Sequence, residues 1–590
     1  MPSTFVEKIF DAPRGAIAFK KPDLILTHDN STSIRKTFEQ MGGTHVFDPD
    51  QLMIALDHNS PPTTARLANT YQSIREFAKK QGIHKFHDTG SGICHQIMAT
   101  YARPGMVIVG SDSHTCTAGA FNAMAAGVDR TEAAGLWLRG ETWFRVPESL
   151  KIELTGRLKQ GVYAKDLSLW IIGILGSAGA NYMSIEYHGK GVKTLSISDR
   201  MTLANLASEM GAKNAVFPAD QVLQDYLESE VNGIWADKGA KYLHEIQIEL
   251  GEVYPLVAAP HHVDNVKSLA EVAGLDIHQA VIGTCTNGRI EDLRVAAAMI
   301  EGNQIKDGIQ FLVIPASREI YLQAIEEGLI TTFLKGGANV LSSSCGPCLG
   351  TGQGIPADNY RVLSTANRNF RGRMGNPKSE IYLASPATVA LSAIHGKIKD
   401  PRKNRGAEKF PYRRRGTESP ALEEGEYRRE KGVWNYADCN NLNTDLMFAG
   451  KLTYKIHSSD PEEIFPHLFK EFDPQFAKEV KSGDILLGGE NFGCGSSREH
   501  PAVGLSHAGI RAVVVKSVNR IFFRSAINQG LPVIVHADAV NAYRTGDRIR
   551  VDFASGIIAV GKFEFPFEAL PDKLMAILEM KGLVNWIRQQ

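Results

Sequence analysis

Short β-branched runs alternate with helical patterns over the first 400 residues, which predicts an α/β protein with mostly parallel sheets. A second group of strand-like runs beyond residue 480 predicts a smaller α/β unit towards the C-terminus. Length agrees with a multidomain chain, since 590 residues correspond to about four domains at ~150 residues each. With 43% hydrophobic and 22% charged residues, the composition is that of an ordinary globular protein able to bury several cores.

Met106–Gly110 reads as a buried strand, and the Gly-rich stretch Ala118–Gly127 after it as the start of a tightly packed helix. Gln279–Gly283 and Gln310–Ile314 repeat the strand pattern, the latter ended by Pro315. The uncharged run Leu167–Ile185 approaches the length of a membrane span, but three Gly, three Ser and Asn181 dilute it, so it reads as a buried helix followed by a turn. At Asp400 the composition shifts. The stretch to Gly432, including Arg413, Arg414 and Arg415, is dense in charge, Pro and Gly and reads as a solvated linker rather than a nucleic-acid patch. Beyond it, Asp484–Gly488, Arg511–Val515, Pro532–His536 and Arg548–Phe553 read as strands.

Lys plus Arg and Asp plus Glu both number 65, so the formal net charge is zero, and the isoelectric point is near 7.3. That balance argues against a general binder of nucleic acid or membrane surfaces. Seven cysteines are too sparse for a secreted disulfide scaffold. The N-terminal segment has no long apolar run, and Glu7 and Asp11 count against a transit peptide. The expectation is a soluble, cytoplasmic enzyme without nucleic-acid or membrane partners. The oligomeric state is not written in these features.

Cys345-Gly-Pro-Cys348 taken alone reads as a redox pair. Its flanks, Ser342 to Ser344 and Leu349 to Gly354, are too rich in Gly and Ser for the regular helix such a pair starts. A third cysteine, Cys285, lies in a comparable loop after a strand. Three thiolates on flexible, amide-rich loops suit an iron–sulfur cluster with one open iron. A three-cysteine zinc site, a redox pair and three unrelated thiols remain the alternatives. Cys94, Cys116, Cys439 and Cys494 read as small buried thiols.

Four polar groups, at Asp57–His58, Cys94–His95, Asp112–Ser113–His114 and Glu186–His188, fall outside the helical patterns, in the same part of the chain. Histidine–carboxylate pairs hold and pass a proton near neutral pH. Asn367–Arg373 is an Arg-rich loop whose guanidinium forks match carboxylates, either of a substrate or of the protein. Gly488–Arg498 carries successive Gly and Ser residues able to form an anion-holding nest, which suits a serine alkoxide or a bound phosphate. It lacks the Lys-Ser/Thr ending of a P-loop.

In combination, SDSHTCTAGAF (111–121), TCTNGR (284–289), CGPCLGTGQG (345–354), NRNFRGRMG (367–375) and ENFGCGSSREH (490–500) resemble the aconitase superfamily over nearly the whole chain. The order is similar to a large and a small subunit of 3-isopropylmalate dehydratase joined in one chain, while EYHG (186–189) and VFP (216–218) are similar to aconitase proper. The resemblance implies three α/β domains (1–148, 149–262, 263–399), a charged linker (400–435) and a mobile swivel domain (436–590). It implies a [4Fe-4S] cluster on Cys285, Cys345 and Cys348, with Asn367 beside it. Ser496 is implied as the base, with Ser497, Arg498 and Ser113 on substrate and Arg368 and Arg373 as substrate and support arginines. The implied acid–base pairs are Asp57–His58, Asp112–His95 and Glu186–His114. The activity implied is a hydro-lyase that dehydrates and rehydrates a hydroxy di- or tricarboxylate, first of all an alkyl-malate such as 3-isopropylmalate. Lys451 or Lys455, in the loop after Thr444–Asp445, is the candidate reader of an extra carboxylate in the aconitate hydratase or homoaconitase alternative. Loss of the cluster and a regulatory role on RNA is the remote alternative, against which zero net charge counts.

Overall fold

Parallel strands end in polar loops at one edge of a sheet, and the fold turns several such edges towards one another. The computed structural model describes residues 2–402, 408–411, 429–453, 456, 460–495, 498–568 and 570–589. Among them, the first sheet is wholly parallel, in the order Lys85–His87, Leu52–Ala55, Leu24–Thr27, Val107–Gly110, Met124–Gly127. Leu24–Thr27 and Val107–Gly110 are neighbours in space but far apart in sequence. The strand order therefore reverses between them, and a crevice opens at their carboxyl ends. A four-stranded parallel sheet follows, in the order Asn214–Val216, Ser184–His188, Ser149–Thr155, His244–Glu249.

The third sheet has seven strands. Its parallel part runs Glu380–Leu383, Arg361–Ser364, Gln279–Ile282, Gln310–Val313, Asn339–Val340, and an antiparallel pair, Leu256–Ala258 and Val266–Ser268, closes one side. The C-terminal unit is built on Val433–Tyr436, Ile485–Gly488, Ala512–Val515 and Val533–Val535, all parallel, with Arg429–Glu430 added antiparallel at the edge. A three-stranded meander, Ile549–Asp552, Ile557–Val560 and Phe563–Pro566, follows it.

Two local readings change. The stretch expected to open a helix at Ala118 is instead a 3-10 helix, Ser113–Phe121, followed by the strand Met124–Gly127. The reason is close packing: a Cβ on Gly119 would lie 1.7 Å from the Ala215 carbonyl oxygen, so this segment is pressed against the edge of the second sheet. The uncharged run divides into a helix, Ala164–Leu175, and the strand Ser184–His188, with turns between. No helix among the described residues is long and apolar enough to cross a membrane.

The C-terminal unit does not stand apart. Its last helices, Asp572–Glu579 and Leu583–Arg588, put Leu574, Ile577, Leu583 and Ile587 into the same apolar core as Phe5, Ile34, Phe38, Phe77 and Trp137. The helix Arg520–Asn528 crosses the helix Arg130–Arg139 through polar contacts. Arg524 grips the Glu132 carboxylate with both fork nitrogens and lies 3.7 Å over the Trp143 ring. Asn528 Nδ2 donates to Asp129 Oδ2 at 2.7 Å. Part of the charged linker is also tied down: Phe410 is buried edge-on against Trp170, with ring centroids 5.4 Å apart. Residues 403–407 and 412–428 of that linker, which include Arg413 to Arg415, lie outside the described residues.

Candidate active site

Three of the four main sheets send loops from their strand ends to one cleft. From the first sheet come His28–Asn30 after Thr27, Asp57–His58 after Ala55 and Ser111–His114 after Gly110. From the third come Cys285 after Ile282, Cys345 and Cys348 after Val340, and Asn367–Arg368 after Ser364. From the C-terminal unit come Gly450, Thr453 and Arg498. Gly283 makes the Cys285 loop possible. It sits at φ +142°, and a Cβ there would lie 2.5 Å from the Ile314 carbonyl oxygen.

Two of the three expected histidine–carboxylate pairs are present. His58 Nδ1 lies 2.6 Å from Asp57 Oδ1, and His95 Nε2 lies 2.8 Å from Asp112 Oδ1. Asp112 joins them into one network. Its second oxygen is 3.7 Å from His58 Nε2, and Oδ1 is also 3.4 Å from His114 Nδ1. Burial alone would raise the Asp112 carboxyl, but hydrogen bonds from His114, His58 and His95 hold it well below the usual carboxylate range. Burial opposes a charge on His58 as well, yet the Asp57 carboxylate and the Cys345 sulfur raise it well above the ordinary histidine value. Asp57, against the same burial, is held at about 2, chiefly by the His58 charge. His28, stacked on His58 at 4.0 Å, is pushed down to about 3 by burial and by that charge. Beneath this group Asp29 accepts from the backbone N–H groups of Asp57, His58 and Asn59, which fixes the loop.

The third pair is corrected. Glu186 lies on the strand Ser184–His188, fully buried. It accepts from Phe5 N–H at 2.8 Å and Tyr242 O–H at 2.8 Å, and lies 3.2 Å from His188 Nε2. It neither lines the cleft nor contacts His114. The partner of His114 is Glu209, 2.8 Å from Nε2, in the 3-10 turn Ser208–Met210 at the end of the helix Ile197–Ala207. That helix packs on the Ser113–Phe121 segment, which brings Glu209 behind His114, whereas Glu186 faces the N-terminal helix Phe5–Phe10. Glu209 also takes Arg368 Nε at 2.9 Å, while Arg368 Nη2 donates to Ser113 Oγ at 2.9 Å. Burial would raise the Glu209 carboxyl, but Arg368 and His114 together hold it at about 2.

Two of the three cysteines meet donors at their sulfurs. Asn205 and Asn367 donate to Cys285 Sγ at 3.3 and 3.5 Å, and Arg373 Nη2 donates to Cys348 Sγ at 3.5 Å. Burial pushes the Cys285 thiol up to about 12, so a bound cation is needed to ionise it near neutral pH. The three sulfurs do not all lie within 4.8 Å of one another. Tetrahedral zinc with Zn–S bonds of ~2.3 Å needs sulfurs about 3.8 Å apart, so the spacing does not fit a single zinc ion. Cys345 caps the start of the short 3-10 turn Gly346–Leu349 and Cys348 lies within it, not on the regular helix of a dithiol redox motif. Cys116 and Cys439 are buried away from the cleft, Cys94 is buried at its wall, and Cys494 is half-buried.

Arg498 lies 2.6 Å from Asp445 Oδ1 and faces the cleft. Ser496, Ser497 and Lys455 lie outside the described residues. Lys451 belongs to the turn Gly450–Leu452. The residue-by-residue reading missed Glu209, Asn205, His28, Asn30 and Arg130. His28 and Asn30 were findable, since they follow a strand, Leu24–Thr27, as Asp112 does. Glu209 was not, because a glutamate at a helix end looks like any solvated acid.

The description "aconitase family (aconitate hydratase)" matches residues 5–396, and "aconitase C-terminal domain" matches residues 434–538. The 3-isopropylmalate dehydratase large subunit 1 of Methanopyrus kandleri is 44% identical over 415 residues, covering 68% of this chain and 99% of its own length. The methanogen homoaconitase large subunit of Methanocaldococcus jannaschii is 42% identical, covering 67% of this chain and 99% of its own. A solved 3-isopropylmalate dehydratase structure from the same organism is 34% identical and covers 27% of this chain and 91% of its own, with a TM-score of 0.24.

Proposed function

The chain belongs to the aconitase family and is a hydro-lyase, and from that premise we propose that it isomerises a hydroxy di- or tricarboxylate by removing water and adding it back. One observation carries this reading: the Asp57–His58–Asp112–His95 network and the His114–Glu209–Arg368 set face three cysteines across a single cleft.

Cys285, Cys345 and Cys348 would hold a [4Fe-4S] cluster, which when bound supplies a Lewis-acidic iron with an open position. Arg368, braced by Glu209, and Arg498, braced by Asp445, each present a guanidinium fork to a substrate carboxylate. Arg373 stays on the sulfur side as a support for Cys348. Ser496, carried over from the family motif, takes the proton from the carbon beside a carboxylate, and the C–H electron pair becomes the new double bond. His58, kept protonated by the Asp57 and Asp112 carboxylates, holds the acid proton of the site. That proton passes to the hydroxyl oxygen as its bond to carbon breaks, and the oxygen leaves as water. Rehydration at the neighbouring carbon reverses both transfers.

An anaerobic panel on reconstituted protein tests this reading, following alkene formation from 3-isopropylmalate, isocitrate, homoisocitrate and short alkyl-malates. Turnover on the alkyl-malates alone would favour the 3-isopropylmalate reading, and preference for a tricarboxylate the aconitate hydratase or homoaconitase one. An intact cluster with no turnover on any of them would refute the substrate class.

A further inference from the structure

Lys165 is the second residue of the helix Ala164–Leu175 and is fully buried. Its ammonium donates to the carbonyl oxygens of Thr365 at 2.9 Å and Ala366 at 2.6 Å. Among the described residues no carboxylate lies within ion-pair distance of it. The first turn of a helix is the wrong end for a cation, because the unpaired N–H groups there already carry positive potential. Burying an ammonium without a counter-charge is unfavourable, so neither packing nor helix formation accounts for a lysine at this position. Burial pushes this ammonium down to about 7, and the groups that act most strongly against that are the Cys285 and Cys348 sulfurs, ahead of Asp292 and Glu209. The two carbonyls it holds immediately precede Asn367, which donates to Cys285 Sγ at 3.5 Å, and Arg368, which is bound to Glu209.

We propose that Lys165 is a positioning residue of the cysteine site: it clamps the turn that presents Asn367 and Arg368, and it is the buried counter-charge of the cysteine sulfurs. This rests on the cluster reading above. An ammonium serves both ends at once, as it offers donors to two carbonyls and a positive charge to net negative sulfur ligands. It touches no cysteine directly in this arrangement, which suits a long-range electrostatic role and a mechanical one through residues 365–368.

The test compares the full chain with Lys165→Gln, which keeps amide donors but no charge, and Lys165→Met, which keeps neither. Each is reconstituted anaerobically, and cluster content, midpoint potential by spectroscopic titration, rate of cluster loss in air, kcat and KM are read alongside the melting temperature of the apoprotein. The expected result is a more negative midpoint potential and several-fold faster cluster loss in both variants. The fall in kcat should be larger in Lys165→Met than in Lys165→Gln. A Lys165→Gln protein that assembles a full cluster at the wild-type potential, with only its apoprotein melting lower, would overturn the counter-charge role and leave a packing lysine. If Lys165→Met fails to fold, Lys165→Gln still decides the matter. Wild-type protein that assembles no cluster would instead overturn the cofactor reading, and this proposal with it.

Discussion

Glu209→Gln separates the carboxylate that the fold supplies to His114 from the one the motif suggested. Glu209 meets two partners, His114 at 2.8 Å and the Arg368 guanidinium at 2.9 Å, and is held at about 2 against an ordinary value of 4.5. That difference corresponds to about 3 kcal/mol of stability at neutral pH. The sign follows from the downward shift. The contribution is fully present above 4.5, the unfolded value, and is lost as the pH falls towards 2. Glutamine keeps the shape but leaves the buried Arg368 guanidinium beside a neutral amide. Urea unfolding at pH 7 should therefore show a loss of about 3 kcal/mol relative to wild type, and the gap should narrow on acidification below 4.5. Because Arg368 and His114 both lose their brace, kcat/KM should fall by about 100-fold or more. Glu186→Gln is the internal control. It loses buried hydrogen bonds from Phe5 and Tyr242, so it should be less stable while keeping most of its turnover. Near-normal stability and kcat/KM in Glu209→Gln, or abolished turnover in a folded Glu186→Gln, would refute the assignment.

Ser496→Ala should give a folded, brown protein with an intact cluster and no turnover, and retained turnover would remove serine from the base role. Arg524→Met leaves Glu132 charged and buried at the contact between the C-terminal unit and the helix Arg130–Arg139, which should cost about 3–5 kcal/mol in unfolding measurements. Adding Glu132→Gln should recover much of that loss, and additive effects of the two changes would disprove their coupling. Arg130, buried at the cleft wall, is a fourth arginine lining the cleft, so Arg130→Gln should raise KM about tenfold if it meets a substrate carboxylate. An unchanged KM on every acid of the panel would refute that contact.

Local sequence determined the α/β class, several of the strands, and many of the residues that strand-end loops carry into the cleft. Asp57, Asp112 and Cys285 follow apolar runs in a parallel sheet, where polar loop residues must collect at the carboxyl ends. The Asp57–His58 pair was legible because its members are adjacent, and Asp112–His95 because the motifs of a known family name both. What only the tertiary structure decided are contacts made by residues that carry no local signal. Glu209 and Asn205 end one helix and Lys165 begins another, and each looks like an ordinary polar residue until packing buries it beside His114, Cys285 or the 365–366 carbonyls. The same holds for the docking of the C-terminal unit, where Arg524, Asn528, Leu583 and Ile587 meet partners several hundred residues away. Periodicity reports which face of an element is apolar. It does not say which other element will cover that face, because the choice depends on the shape and charge of surfaces that exist only once the chain has folded.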